Sequence, residues 1–252
     1  MRSRQGLVVY ALTILLVGCI SHSPSVPNGQ GKAVDNYMNL AKGYIQEGYI
    51  EKAVKPLNRA LEIEPRSSDV HGMLGLVYQL QGETRLAEKS FKKALSYNSG
   101  AAEVRNNYGA FLFSRGRLDD AYREFSKAAE NIDYEKRSRA YENMGVVAHK
   151  QGNLVSAQAH FEKSLRLNSN LPRARLELAT VLHKSGDYGK AWAHYLMFAK
   201  QARQNSQSLW LGVQLARVNG DKNAAASYGL QLERLFPGSK ELQAYRSLVR
   251  HE

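Results

Sequence analysis

Cysteine occurs once in this 252-residue sequence, at position 19. A single thiol closes no intramolecular disulfide and builds no multi-cysteine metal cluster, so a disulfide-stapled fold and a thiolate metal centre are both excluded. Proline is scarce, with six residues, which rules out a collagen-like or proline-rich polymer. No apolar run approaches the roughly 20 residues of an ordinary transmembrane helix. The most hydrophobic stretch, Leu7–Val17, has eleven. Acidic residues are the minority charge: 23 Asp and Glu stand against 35 Lys and Arg, a formal +12. That surplus points to an acidic partner, whether nucleic acid, anionic lipid or an acidic protein face. What is present, 43% hydrophobic and 23% charged residues, is the composition of an ordered chain.

The single cysteine sits in an informative place. Residues 1–19 read MRSRQGLVVYALTILLVGC, a basic start followed by a short apolar run. Eleven residues rise only about 16 Å as a helix, too little to span a bilayer but right for an export signal. The run ends in Leu16-Val17-Gly18-Cys19, which resembles the lipobox of bacterial lipoproteins. That resemblance implies cleavage after residue 18 and lipid attachment at Cys19, including an acyl chain of the palmitate kind. Several acyl chains at about 0.8 kcal/mol per buried CH₂ hold a protein firmly to a membrane. Ile20 stands where an inner-membrane retention signal would place Asp, so lipoprotein sorting implies the outer membrane, on its periplasmic face. Residues 19–33, rich in Ser, Pro, Gly and Asn, are expected to be a flexible tether.

The rest of the chain keeps a ruler. Gly48, Gly82 and Gly116 are 34 residues apart, Gly152 follows after 36, and Gly186 and Gly220 return to 34. Ala53, Ala87, Ala121, Ala157, Ala191 and Ala225 keep step five residues later, and Leu57, Phe91, Phe125, Phe161 and Tyr195 form a third register. Three registers sharing one two-residue insertion define a tandem repeat. Each unit reads as two short amphipathic helices, with the glycine in the left-handed conformation that ends the first. The alanine is small where the paired helices approach. Helices of this length are marginal alone, so stacking must stabilise them.

This pattern resembles the tetratricopeptide repeat, most closely in LAKGYIQEGYIEKAVKPLNRALEIEP at residues 40–65. The resemblance implies an all-α, right-handed superhelical solenoid. Six units are expected, at 34–67, 68–101, 102–135, 138–171, 172–205 and 206–239, with residues 240–252 as a capping helix. The sixth unit departs from the pattern, because Gly229 falls where a large apolar residue belongs.

No catalytic constellation is present: there is no phosphate-cradling glycine loop, no HExxH and no EF-hand spacing. The chain reads as a non-enzyme without a cofactor beyond the lipid on Cys19. Two histidine pairs keep the repeat spacing, His149 with His183 and His160 with His194, which leaves a bis-histidine metal site as a minor alternative to ordinary surface histidines.

In this fold the first helix of each unit lines the concave face. At its inward positions the front units place Met38, Ile45, Met73, Leu76, Leu80, Ala110 and Phe113, an apolar and adaptable set suited to a partner segment. The rear units place Arg139, Lys150, Arg173 and Lys184, continued by Arg217, and are expected to form a basic face. Residues 19–138 carry 17 basic and 15 acidic residues, residues 139–252 carry 16 and 8. The surplus therefore lies in the rear half, where contact with anionic lipid or an acidic protein face is open.

Three segments, NNYGAFLFSRGRLDDAY (106–122), YEKRSRAYENMG (134–145) and AASYGLQLERLFPGSKE (225–241), resemble the PilF/PilW family of type IV pilus biogenesis and stability lipoproteins. That resemblance implies an outer-membrane pilotin that binds the pilus secretin subunit and aids its localisation and multimerisation, and so pilus assembly and twitching motility. The secretin contact is expected in the front groove, at Met38, Ile45, Met73, Leu76, Leu80 and Phe113. A general envelope adaptor for outer-membrane or cell-wall assembly would share the anchor and the repeats and stays open as an alternative. Nucleic acid is disfavoured by an exported location.

Overall fold

The computed structural model describes residues 28–250. Leu16, Val17, Gly18 and Cys19, with the rest of the expected signal and most of the tether, lie outside the described residues. Among those described there are thirteen α-helices and no strand. They are α1 (Asn28–Gln46), α2 (Val54–Ile63), α3 (Ser68–Leu80), α4 (Thr84–Tyr97), α5 (Ala102–Ser114), α6 (Leu118–Glu130) and α7 (Arg137–Lys150). There follow α8 (Leu154–Leu167), α9 (Pro172–Lys184), α10 (Tyr188–Gln201), α11 (Ser206–Val218), α12 (Lys222–Leu235) and α13 (Lys240–Arg250). Each odd helix from α1 to α11 packs as a hairpin on the even helix after it, and successive hairpins stack where the next odd helix lies against both members of the one before. The chain forms a tetratricopeptide-repeat solenoid.

The turns are set by the ruler glycines. Gly48, Gly82, Gly116, Gly152, Gly186 and Gly220 all have φ between 75° and 82°, a conformation that a side chain resists. At each, the following residue donates back across the turn, as from Glu83 N to Tyr78 O at 2.8 Å and from Asp221 N to Ala216 O at 2.9 Å. These closures satisfy carbonyls that the helix end leaves open. In the rear units Asn153, Asp187 and Asp221 then cap the next helix by accepting from Ser156, Lys190 and Ala224 N–H groups. In the first unit the second helix starts as a 3₁₀ turn, Ile50–Ala53, before α2. Pro56, which has no N–H to donate, stands near the join.

The core follows from complementary sizes. Phe91, Phe125 and Phe161 are buried against Gly75, Gly109 and Gly145 of the preceding helix. A Cβ at any of those glycines would fall 2.6–2.7 Å from the ring, so only glycine admits the aromatic there. The sixth unit inverts the pair. Val213 takes the preceding-helix position and Gly229 the other, and Tyr245 of α13 enters the space above Gly229. A Cβ on Gly229 would lie 2.1 Å from Tyr245 Cζ. The irregular sixth unit is thus shaped to receive the cap.

One boundary differs from the expectation. Residues 28–33, assigned to the tether, are the first turns of α1. Val34 is buried and anchors the helix, and the weak helix propensity of Gly29 and Gly31 does not stop the backbone ladder from continuing outward.

Candidate functional site

The odd-numbered helices α1, α3 and α5 enclose a concave groove of about 500 Å³ at the front of the array. Its apolar floor is made by Met38, Ile45, Met73, Leu76 and Val104. Helical spacing explains the grouping, since Met38 and Ile45 are seven residues apart on α1 and Met73 and Leu76 three apart on α3. Gly72 lets α3 and α5 close up behind the floor, because a Cβ there would meet Val104 Cγ2 at 2.6 Å. Charges ring the opening: Lys42 and Asp69 on one side, Glu103 and Lys136 on the other. Lys136 Nζ donates to Glu103 Oε1 at 2.9 Å and Oε2 at 3.2 Å, tying the junction before α7 to the first turn of α5.

Four of the six expected groove residues, Met38, Ile45, Met73 and Leu76, meet here; Leu80 and Phe113 do not. Leu80 ends α3 and faces a separate depression with Tyr49 and Ile50. Phe113 is half-buried against the core of α5–α7, with Lys150 Nζ 5.0 Å above its ring. Both lie on the last turn of their helices, a turn or more beyond Leu76 and Asn107, the last groove-lining residues of α3 and α5. Val104 and Lys136 escaped sequence reasoning. The two-residue insertion that brings Lys136 to the rim was visible as the 36-residue step, but its direction was not.

The rear face is not simply basic. Arg139 and Arg173 flank Glu142, whose carboxylate is 1% exposed and 3.8 Å from Arg139. Burial pushes that carboxyl up, against the pull of Arg173 and Arg139, and Glu142 Oε1 has no partner. His149 Nδ1 donates to Glu177 Oε2 at 3.3 Å and its Nε2 accepts from Lys184 Nζ at 2.8 Å. Lys150 is engaged with Phe113, and Arg217 is half-buried on α11. The expected basic face is therefore corrected to a mixed network, since Glu142 and Glu177 occupy the helix turns beside the cations.

The histidine pairs take unrelated partners. His183 packs on the Tyr188 ring at 5.5 Å, while His149 is held by Glu177 and Lys184. His160 Nε2 lies 2.8 Å from Tyr122 OH, and His194 Nδ1 has no partner. Burial lowers the pKa of His160, His183 and His194. Among the described residues no three His, Cys, Asp or Glu side chains converge on a metal position. Among them, too, no helix is long and apolar enough to cross a membrane.

A solenoid of paired helices with an apolar concave groove defines a protein-interaction repeat scaffold, and the relatives agree on the class. Tetratricopeptide repeat family models match residues 34–67, 68–100, 100–170 and 142–206. The chain is 42% identical over 247 residues to the type IV pilus assembly protein PilF of Pseudomonas aeruginosa, covering 96% of this chain and 98% of that one. A solved structure from the functional characterisation of Pseudomonas aeruginosa PilF superposes with a TM-score of 0.85 at 44% identity, covering 87% and 99% of the two chains. The crystal structure of PilW, a widely conserved type IV pilus biogenesis factor, gives 0.74 at 29% identity over 84% and 98%. The chain belongs to the PilF/PilW family of tetratricopeptide-repeat proteins.

Proposed function

We propose that this protein is a non-catalytic scaffold of type IV pilus biogenesis that acts as a pilotin. It is exported, lipidated on Cys19 and held on the periplasmic face of the outer membrane, and it binds the pilus secretin subunit to aid its localisation and multimerisation. The observation that carries the partner-binding part is the groove of Met38, Ile45, Met73, Leu76 and Val104, an open apolar surface bounded by charges of both signs. Such surfaces take up partner segments through adaptable methionines, with rim charges setting register. Family membership supports the pilus pathway, and the sequence around Cys19, with Ile20 after it, supports the membrane assignment.

Secretin multimers in a deletion strain test the reading. Wild type should restore them, and Met73→Asp with Leu76→Asp should leave only monomer while the purified variant keeps its helical circular dichroism. Cys19→Ser should restore binding in solution but not outer-membrane multimers. Normal multimers with the double variant would remove the groove from the function, and normal multimers in the deletion strain would remove the secretin.

A further inference from the structure

The repeat register exposes an incomplete ion pair, away from the front groove. Arg105 and Glu124 of the third unit correspond, 70 residues on, to Arg175 and His194 of the fifth, and Ser99 corresponds to Ser169. In the third unit the pair is complete: Arg105 Nη1 donates to Glu124 Oε2 at 2.5 Å and Nε donates to Ser99 O at 2.8 Å. In the fifth unit the backbone half is kept, with Arg175 Nη2 donating to Ser169 O at 2.9 Å. The carboxylate is gone. Arg175 Nη1 reaches Met197 Sδ at 2.9 Å, a weak acceptor, and Arg175 Nε is buried without a partner. His194, where the carboxylate belongs, also has a buried Nδ1 without a partner. Burial and then the neighbouring Arg175 lower its pKa, and an imidazole carries no negative charge in either protonation state. Glu162 of α8 faces His194 as well, but accepts from Gln158 Nε2 at 2.9 Å and pairs with Arg166 at 3.9 Å.

Arginine offers a planar fork that matches a carboxylate, and a guanidinium half withdrawn from water is poorly served by a thioether. Met197, which Arg175 reaches, is 49% exposed, its chain neighbour Leu196 is 37% exposed, and Leu230 holds the Leu196 register on the next even helix. We propose that Arg175, Leu196 and Met197 form a docking site for a partner protein segment that carries an Asp or Glu beside an aliphatic residue, the partner's carboxylate completing the pair that Glu124 completes internally in the third unit. The excess of 16 basic over 8 acidic residues beyond residue 138 adds long-range attraction for such a segment. The third unit's own choice of a carboxylate favours a protein side chain over a lipid phosphate.

The test uses the full chain carrying Met73→Asp, so that the front groove takes no ligand, and pans a phage-displayed library of random dodecapeptides. Asp or Glu next to Leu, Ile or Met should dominate the selected sequences. The synthetic winner should bind about tenfold or more weakly to Arg175→Gln, the loss of a charged hydrogen bond. His194→Glu should weaken it equally while raising the melting temperature, because the new carboxylate pairs with Arg175 from within; His194→Gln should leave binding unchanged. Three results would overturn the proposal: selection without acidic residues, a winner indifferent to both Arg175→Gln and His194→Glu, or Arg175-dependent retention of phosphatidylglycerol vesicles without peptide binding.

Discussion

Glycine stands in three different settings in this chain, and substitution should separate them. At Gly109 the hydrogen leaves room for Phe125, whose Cε1 would be 2.7 Å from an added Cβ. Gly109→Ala therefore gains helix propensity of about 1 kcal/mol yet forces a buried ring to move, at a cost of roughly 1–3 kcal/mol. Gly43, inside α1, has nothing within 4 Å of its virtual Cβ. Gly43→Ala should stabilise by about 0.5–1 kcal/mol. Thermal melts of the two variants should move in opposite directions, and a stabilised Gly109→Ala would show that the paired helices α5 and α6 part easily. The third setting, the left-handed turn at Gly48 and its equivalents, was legible because the spacing is strict and only glycine adopts that conformation freely. The use at Gly109 was not legible, since a helical glycine in sequence does not reveal which ring lies against it.

At the level of elements, the hairpins are tied by polar bridges as well as by packing. Glu88 on α4 accepts from Arg117 Nη1 at 2.8 Å, across the turn before α6, and pairs with Lys92 at 2.9 Å. Tyr108 OH on α5 donates to the same carboxylate at 3.2 Å. Lys92 and Arg117 hold Glu88 down at about 2, while burial and then the Glu88 charge push Tyr108 up to about 12. A carboxyl whose pKa is depressed on folding contributes stability above its ordinary value near 4.5 and loses it as pH falls toward 2. Melting temperature should drop through that window, and Glu88→Gln should flatten the drop. Parallel curves for wild type and variant would assign the acid sensitivity elsewhere. The helix faces were readable from apolar periodicity, which is why Met38, Ile45, Met73 and Leu76 converge as expected. Leu80 and Phe113 do not, because periodicity fixes a face but not how far along a helix the groove extends. Glu142 and Glu177 likewise break the basic face by inter-helix geometry that a list of positions does not contain.

Across the whole molecule, stability passes from unit to unit and depends on how the array ends. Tyr245 fills the space over Gly229, and Leu242 is buried with Leu209, Val213 and Leu232. Tyr245→Ala should cost about 2–4 kcal/mol through the cavity it leaves. Hydrogen exchange should show that loss in α11 and α12 first, with the front units unaffected. Uniform loss of protection along the chain would mean that the array unfolds as one body. The rest of α13 turns Lys240, Gln243, Arg246, Ser247 and Arg250 to solvent, together with Val249 at 47% exposure. At the opposite end, α1 presents Leu40 at 48% exposure, with Tyr37 and Tyr44 only partly covered. The two ends are thus unlike: one is plugged from within and mostly polar outside, with Val249 its exposed apolar side chain, while the other keeps several apolar side chains uncovered. Endless head-to-tail polymerisation needs two mutually sticky ends, and α13 removes one of them. A molecule built this way can be crowded on a surface at high local density and still remain a set of discrete particles rather than a fibre.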